Sequence, residues 1–227
     1  MVMTVDCVIF DLDGVLVDSD EAWMRVHRDA ARKFMSDPPP DEELRELLWA
    51  TTPEFVDRIL PRDVKNREEI LEGMCNDIHE HMKALISSSC IKEREGMRDL
   101  LRRLRREGKK IGLVTNNDRE ITEGMLKHFD IQEFFDVIIT KDDVGKPKPS
   151  PEPIFRALND LRCAPKDCIY IGDNEEDVIA GKAAGVTTVL LNTSDDKGQA
   201  KEKTSPDHTI NKLDEVLTLI GLEKTSV

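Results

Sequence analysis

Five short apolar runs leave a chain of 227 residues few architectures to choose from: Val5 to Phe10, Ile111 to Thr115, Val137 to Thr140, Cys168 to Ile171 and Thr188 to Leu191. Each is rich in Val, Ile or Leu with little polar alternation, as expected of strands buried on both faces. Helical patterns lie between the later runs. Met97, Leu100, Leu101 and Leu104 recur at helix spacing with Arg and Lys opposite, and Gly108 stops the run. Asp118 is placed to N-cap a helix running towards Phe129. Pro151 or Pro153 opens another that ends near Leu161, and the segment from Glu175 closes at Gly185. Strands alternating with helices imply right-handed crossovers, so the expected fold is α/β: a doubly wound parallel sheet with a Rossmann-like core.

One stretch breaks the alternation. From Ser19 to Cys90 no strand is expected; helical patterns run from Glu21 to Met35, Asp41 to Ala50, Pro53 to Leu60 and Arg67 to Leu85, with Pro38-Pro39-Pro40 as a rigid break. The simplest account is an all-helical insertion. Residues 1–18 and 92–227 would form the α/β core and residues 19–91 a separate helical domain, with hinges near Val17 to Ser19 and Ser89 to Ile91. Trp23 and Trp49 fall on its helices as interior or entrance residues. The tail from Glu223 to Val227 is expected to fray.

Composition narrows the partners. A formal charge of −13, from 33 basic against 46 acidic residues, opposes binding to nucleic acid or an anionic membrane surface. No apolar run approaches the length of a transmembrane helix, and Asp6 sits where a signal peptide needs apolar residues. Cys7, Cys75, Cys90, Cys163 and Cys168 are odd in number and scattered, which reads as reduced thiols in a cytoplasmic protein. The arginines and lysines between Arg98 and Lys110 are interleaved with leucines and read as a solvated helix face. Cys75, His79 and His81 lack a fourth ligand at useful spacing for zinc.

Reactive groups stand at the ends of four of the runs. The first leads into Asp11-Leu12-Asp13-Gly14, two carboxylates that would raise each other's pKa unless a cation lay between them. The second ends in Thr115-Asn116-Asn117, the third leads to Gly145-Lys146-Pro147-Lys148-Pro149, and the fourth gives Gly172-Asp173-Asn174 with Asp177 one turn further on. In an open parallel sheet these strand ends converge on one crevice. Paired carboxylates, a lysine and a hydroxyl there suit a hard metal ion and phosphate chemistry.

In their order, these four sets resemble the motifs of the haloacid dehalogenase superfamily: DxDG at Asp11 to Gly14, the strand-end Thr115, a lysine taken as Lys146 in a KPxP setting, and GDxxxD at Gly172 to Asp177. The helical stretch matches the cap that many members insert after the first motif. The resemblance implies that Asp11 is the nucleophile and forms an aspartyl-phosphate. Asp13 would protonate the leaving oxygen and then activate water. Thr115, the Asn116 main-chain N–H and Lys146 would bind the phosphoryl oxygens. Mg²⁺ would be held by the Asp11 carboxylate, the Asp13 main-chain carbonyl and Asp173, with Asp177 supporting the site from behind. A cap closing over the crevice would exclude water until substrate is bound.

Within that superfamily Asp13 favours phosphoryl transfer over dehalogenation, because a halide needs no proton. Gly172 stands before Asp173 as in phosphatases such as phosphoglycolate phosphatase, whereas beta-phosphoglucomutases carry Glu there. Asn174 departs from the Ser frequent in those phosphatases. The expected protein is a Mg²⁺-dependent phosphatase of a small phosphorylated metabolite, a monomer or homodimer. A sugar phosphomutase and a non-catalytic regulatory module on the same fold are the alternatives.

Overall fold

The computed structural model describes residues 5–48, 50–192 and 204–222. It divides into two compact units, residues 1–17 with 93–227, and residues 18–92. Trp49 and the tail from Glu223 onward lie outside the described residues.

The first unit is built on a six-stranded sheet. Its strands are β1 (Cys7–Phe10), β4 (Lys110–Val114), β5 (Val137–Ile139), β6 (Cys168–Gly172), β7 (Thr187–Leu191) and β8 (His208–Ile210), in the spatial order β5-β4-β1-β6-β7-β8. Every described pairing is parallel. Two-residue strands β2 (Val17–Asp18) and β3 (Lys92–Glu93) pair separately, where the chain leaves and re-enters this unit. Helices α5 (Met97–Arg106), α6 (Arg119–His128), α7 (Glu152–Leu161) and α8 (Glu175–Ala184) connect the strands.

The apolar runs form strands because β1, β4 and β6 are inner strands whose side chains are covered on both faces. Val8, Ile9, Phe10, Ile111, Leu113, Ile169 and Ile171 are all buried. On α5, Met97, Leu100, Leu101 and Leu104 are buried, each contributing about 2 kcal/mol. Its arginines face outward into ion pairs, Arg98 with Glu93, Arg103 with Glu107 and Arg105 with Asp136. Asp118 caps α6 by accepting from the Ile121 N–H, and Gly185 ends α8 at φ +75°.

The strand β8 was not foreseen. It is three residues long and its edge position needs no apolar run; Asp207 ties it down by accepting from the Thr188 N–H and hydroxyl and from Lys182. The expectation of five unpaired thiols is corrected, because Cys7 and Cys163 form a disulfide across 156 residues. Sequence spacing could not reveal it: α7 returns the chain to the start of β1, leaving the two Cα atoms 6.5 Å apart, within bonding reach. That pairing removes the argument from free cysteines for a reducing compartment. Among the described residues no helix is long and apolar enough to cross a membrane.

The second unit is helical: α1 (Asp20–Phe34), α2 (Asp41–Arg45), α3 (Thr52–Ile59) and α4 (Arg67–Leu85). Helix α2 stops five residues short of the expected Ala50. Leu44 is its sole buried residue, and the following turns close between residues three apart rather than four, Leu47 N–H to the Leu44 carbonyl and Leu48 N–H to the Arg45 carbonyl. In this unit's core, the His27 ring lies between Trp23, at 5.6 Å between centroids, and Phe55, at 3.9 Å. A carbonyl only accepts, so Nδ1 carries the hydrogen and donates to the Trp23 carbonyl at 2.9 Å. Nε2 is buried without a protein partner. Burial therefore pushes the imidazole pKa down to about 4.

A folded-state pKa below the unfolded one means that stability is present above about pH 6.5 and is lost as pH falls towards about 4. His27→Phe should remove on the order of 3 kcal/mol of acid-induced destabilisation. Denaturant titrations of both proteins at pH 7 and pH 4.5 measure it; equal acid losses would contradict the assignment.

Candidate active site

The parallel register sets the site. Phe10 is level with Leu113 on one side and Ile171 on the other, so Asp11, Thr115 and Asp173 all emerge within two residues of that level. Gly14 turns the chain at φ +72°, and a Cβ there would lie 2.0 Å from Asp173 Oδ2. Only a residue without a side chain leaves that space to the Asp173 carboxylate.

Asp11, Asp173 and Asp177 are buried, and each offers an oxygen within 4.8 Å of the others. Among the described residues no other cluster of three or more His, Cys, Asp or Glu side chains is drawn so close, and Cys75, His79 and His81 form none. The cation among these carboxylates is Lys148. Its Nζ donates to Asp177 Oδ1 at 2.7 Å, contacts Asp11 Oδ1 at 2.9 Å and reaches the Tyr170 hydroxyl at 3.1 Å. The Tyr170 hydroxyl also donates to Asp177 Oδ1, at 2.8 Å. Asp177 Oδ2 accepts the main-chain N–H groups of Asp173 and Asn174. Asp177 is thereby engaged through both oxygens and organises the cluster from behind.

The lysine expected from the sequence was Lys146, and here the geometry differs. Lys146 is exposed; its main-chain N–H, like that of Gly145, donates to the Glu152 carboxylate. Lys148 is the buried one. The Asn116 side chain clamps it, with Oδ1 accepting from the Lys148 N–H and Nδ2 donating to the Lys148 carbonyl, both at 3.0 Å. Both lysines precede a proline, so residue type and local spacing carried nothing to separate them.

Thr115 is buried, its N–H donating to Ile139 and its hydroxyl accepting from the Asn117 N–H at 3.2 Å. The Asp13 carboxylate accepts from Asn117 Nδ2 at 2.5 Å. Tyr170 was not singled out in the sequence, and Asn117 was named among the strand-end groups without a role of its own. Tyr170 lay inside an apolar strand, and Asn117 stood beside residues with stronger motif signals.

Burial pushes the Asp11 carboxyl well above the usual carboxylate range; Lys148 opposes this, while Asp177, Asp173 and Asp13 reinforce it. For Lys148, burial alone would lower the pKa, but Asp11 and Asp177 outweigh it and hold the ammonium well above its ordinary value. A single ammonium stands among three buried carboxyl groups, with the Asp13 carboxyl close enough to act on Asp11 as well. Oxygen donors with surplus negative charge suit a hard divalent cation such as Mg²⁺, and Asp11 and Asp173 are the donors best fitted to hold it.

A Cβ at Gly172 would fall 2.2 Å from the Asp177 Cβ. Gly172→Ala should therefore displace Asp177 and cost about 2 kcal/mol or more in a denaturant titration, whereas Gly145→Ala, where the nearest atom is the end of the Glu152 side chain, should change stability by less than about 1 kcal/mol.

Residues 8–191 match the family model for haloacid dehalogenase-like hydrolases. A pyrophosphatase, PpaX of Bacillus mycoides, is 31% identical over 220 residues, spanning 96% of this chain and 98% of that protein. Among solved structures, CbbY from Rhodobacter sphaeroides, in complex with phosphate, superposes with a TM-score of 0.81 at 24% identity and covers 96% of this chain and all of its own. A provisionally assigned phosphoglycolate phosphatase from Lactobacillus plantarum gives a TM-score of 0.82 at 23% identity with the same coverage. The two structures speak to fold.

Proposed function

The chain belongs to the haloacid dehalogenase-like hydrolases and is a phosphatase of that family, and we propose that it hydrolyses a small phosphorylated metabolite through a phosphorylated Asp11. The observation that carries this reading is the bonded chain Asp11–Lys148–Asp177, with Asp173 beside it at the carboxyl ends of β1 and β6. Those residues could form a carboxylate nucleophile with positive charge held against it.

In this reading an Asp11 oxygen attacks phosphorus while Asp13 gives a proton to the departing oxygen. Asp13 then takes a proton from the water that cleaves the phospho-aspartate. Lys148, the Thr115 hydroxyl and the Asn116 main-chain N–H receive the phosphoryl oxygens and stabilise their charge as it spreads. Mg²⁺ would be held by Asp11, Asp173 and the Asp13 main-chain carbonyl; when bound it supplies positive charge that offsets the repulsion between the Asp11 carboxylate and a phosphate dianion. Asp177 keeps Lys148 aimed at Asp11. The helical unit, residues 18–92, is read as the substrate-selecting cap.

Inorganic pyrophosphate is a leading candidate substrate, supported by the end-to-end match to PpaX of Bacillus mycoides. Phosphate release from pyrophosphate, phosphoglycolate, sugar phosphates and nucleotides in the presence of magnesium chloride identifies the preferred substrate. Conversion of a sugar phosphate into its isomer with little free phosphate would instead mark a mutase. On the best substrate Asp11→Asn should lower kcat by about 10³-fold or more with the thermal midpoint retained. A folded Asp11→Asn protein with undiminished turnover would refute the mechanism. Lys148→Ala should cost at least ~10²-fold and Lys146→Ala less than about threefold; the reverse ranking would return the phosphate-binding role to Lys146.

A further inference from the structure

Asn117 lies outside the set of residues that the proposed mechanism uses, yet its side chain reaches Asp13 across 104 residues of sequence. Both sides of its main chain are held. Its N–H donates to the Thr115 hydroxyl at 3.2 Å, and its carbonyl accepts from the Lys141 N–H at 3.1 Å. The neighbouring Asp118 caps α6, so the residue is anchored at the junction of β4 with that helix. The main chain that carries the amide is thereby held in place beside Asp13.

An amide nitrogen only donates. The oxygen it meets, Asp13 Oδ2, must offer a lone pair at 2.5 Å, so it cannot present a hydrogen in that direction. In a protonated carboxyl group the carbonyl oxygen is the better acceptor, so this contact favours Oδ1 as the oxygen that carries the proton of Asp13. We propose that Asn117 is a positioning residue that occupies Asp13 Oδ2 and so dedicates Oδ1 to proton transfer in both half-reactions. This rests on the acid–base role given to Asp13 above. In the first half the Asp11–phosphorus bond forms, the bond from phosphorus to the leaving oxygen breaks, and the Oδ1 proton passes to that oxygen. In the second, water oxygen bonds to phosphorus, the Asp11–phosphorus bond breaks, and a water proton returns to Oδ1. The sum is one ester and one water giving one alcohol and one phosphate, with Asp13 restored.

A residue that acts by orienting the acid has a signature that a structural residue lacks. Its removal matters most when the leaving group needs its proton. Phenyl phosphate and 4-nitrophenyl phosphate have nearly the same shape, but 4-nitrophenolate departs far more readily without protonation. With magnesium chloride present, kcat/KM reports events up to departure of the leaving group. Asn117→Leu, similar in size and unable to donate, should lower kcat/KM for phenyl phosphate about tenfold more than for 4-nitrophenyl phosphate. Asn117→Ala, which removes the donor without adding a charge, should do the same and serves if the leucine variant does not fold.

Asp13→Asn, run alongside, separates the two hypotheses. Selective loss in Asp13→Asn together with equal loss on both substrates, or none, in the Asn117 variants overturns the positioning role alone. If Asp13→Asn itself shows no selectivity, the acid–base reading of Asp13 fails and the role of Asn117 fails with it. Selective loss in Asp13→Asn and in either Asn117 variant supports the proposal.

Discussion

Lys148 brings a positive charge to a place where three carboxylates are buried together. Without it, Asp11, Asp173 and Asp177 would repel one another in a poorly solvated crevice, and the cheapest relief would be protonation or water entry. Its contacts to Asp11 Oδ1 and Asp177 Oδ1, at 2.9 and 2.7 Å, bridge the ends of β1 and the start of α8. A buried ion cluster is weak support for stability, since desolvation offsets much of the attraction. Its presence at the strand ends is better explained by chemistry, since it sets a carboxylate and a held positive charge side by side.

The sheet makes that concentration of charge geometrically simple. With β1 between β4 and β6, and all three running the same way, the residues that follow each strand lie side by side. Glycine then sets how close they come. Gly14 yields its side-chain space to Asp173 and Gly172 yields its own to Asp177. Supporting amides complete the arrangement: Asn116 fixes the main chain of Lys148 from both sides, and Asn117 holds the Asp13 carboxylate. Two adjacent asparagines thus secure two different catalytic candidates, one through its backbone and one through its side chain.

Much of this was legible beforehand because it depends on local patterning. Inner strands must be apolar on both faces, so β1, β4, β6 and β7 announced themselves. Helix α4 ran over the residues its pattern indicated, and Asp118 and Gly185 performed the capping their types suggest. Where the pattern was short or the stabilising partner was distant, legibility failed. Strand β8 depends on Asp207 reaching back to Thr188, and α2 gives way after Arg45 to turns closed between residues three apart.

Residue order and type were enough to establish a parallel α/β sheet, a helical unit between its first strand and the rest, and carboxylates at the strand ends, because period and strand-end chemistry are written locally. Three matters needed the folded chain. Lys148, rather than Lys146, faces the carboxylates because Asn116 anchors its peptide groups, and a Lys-Pro-Lys-Pro repeat cannot encode that choice in one dimension. Cys7 meets Cys163 because α7 brings the chain back beside β1. Asn117 meets Asp13 because two parallel strands 104 residues apart end at the same height. Each is a contact between distant segments, and such contacts exist only once the sheet has set the register.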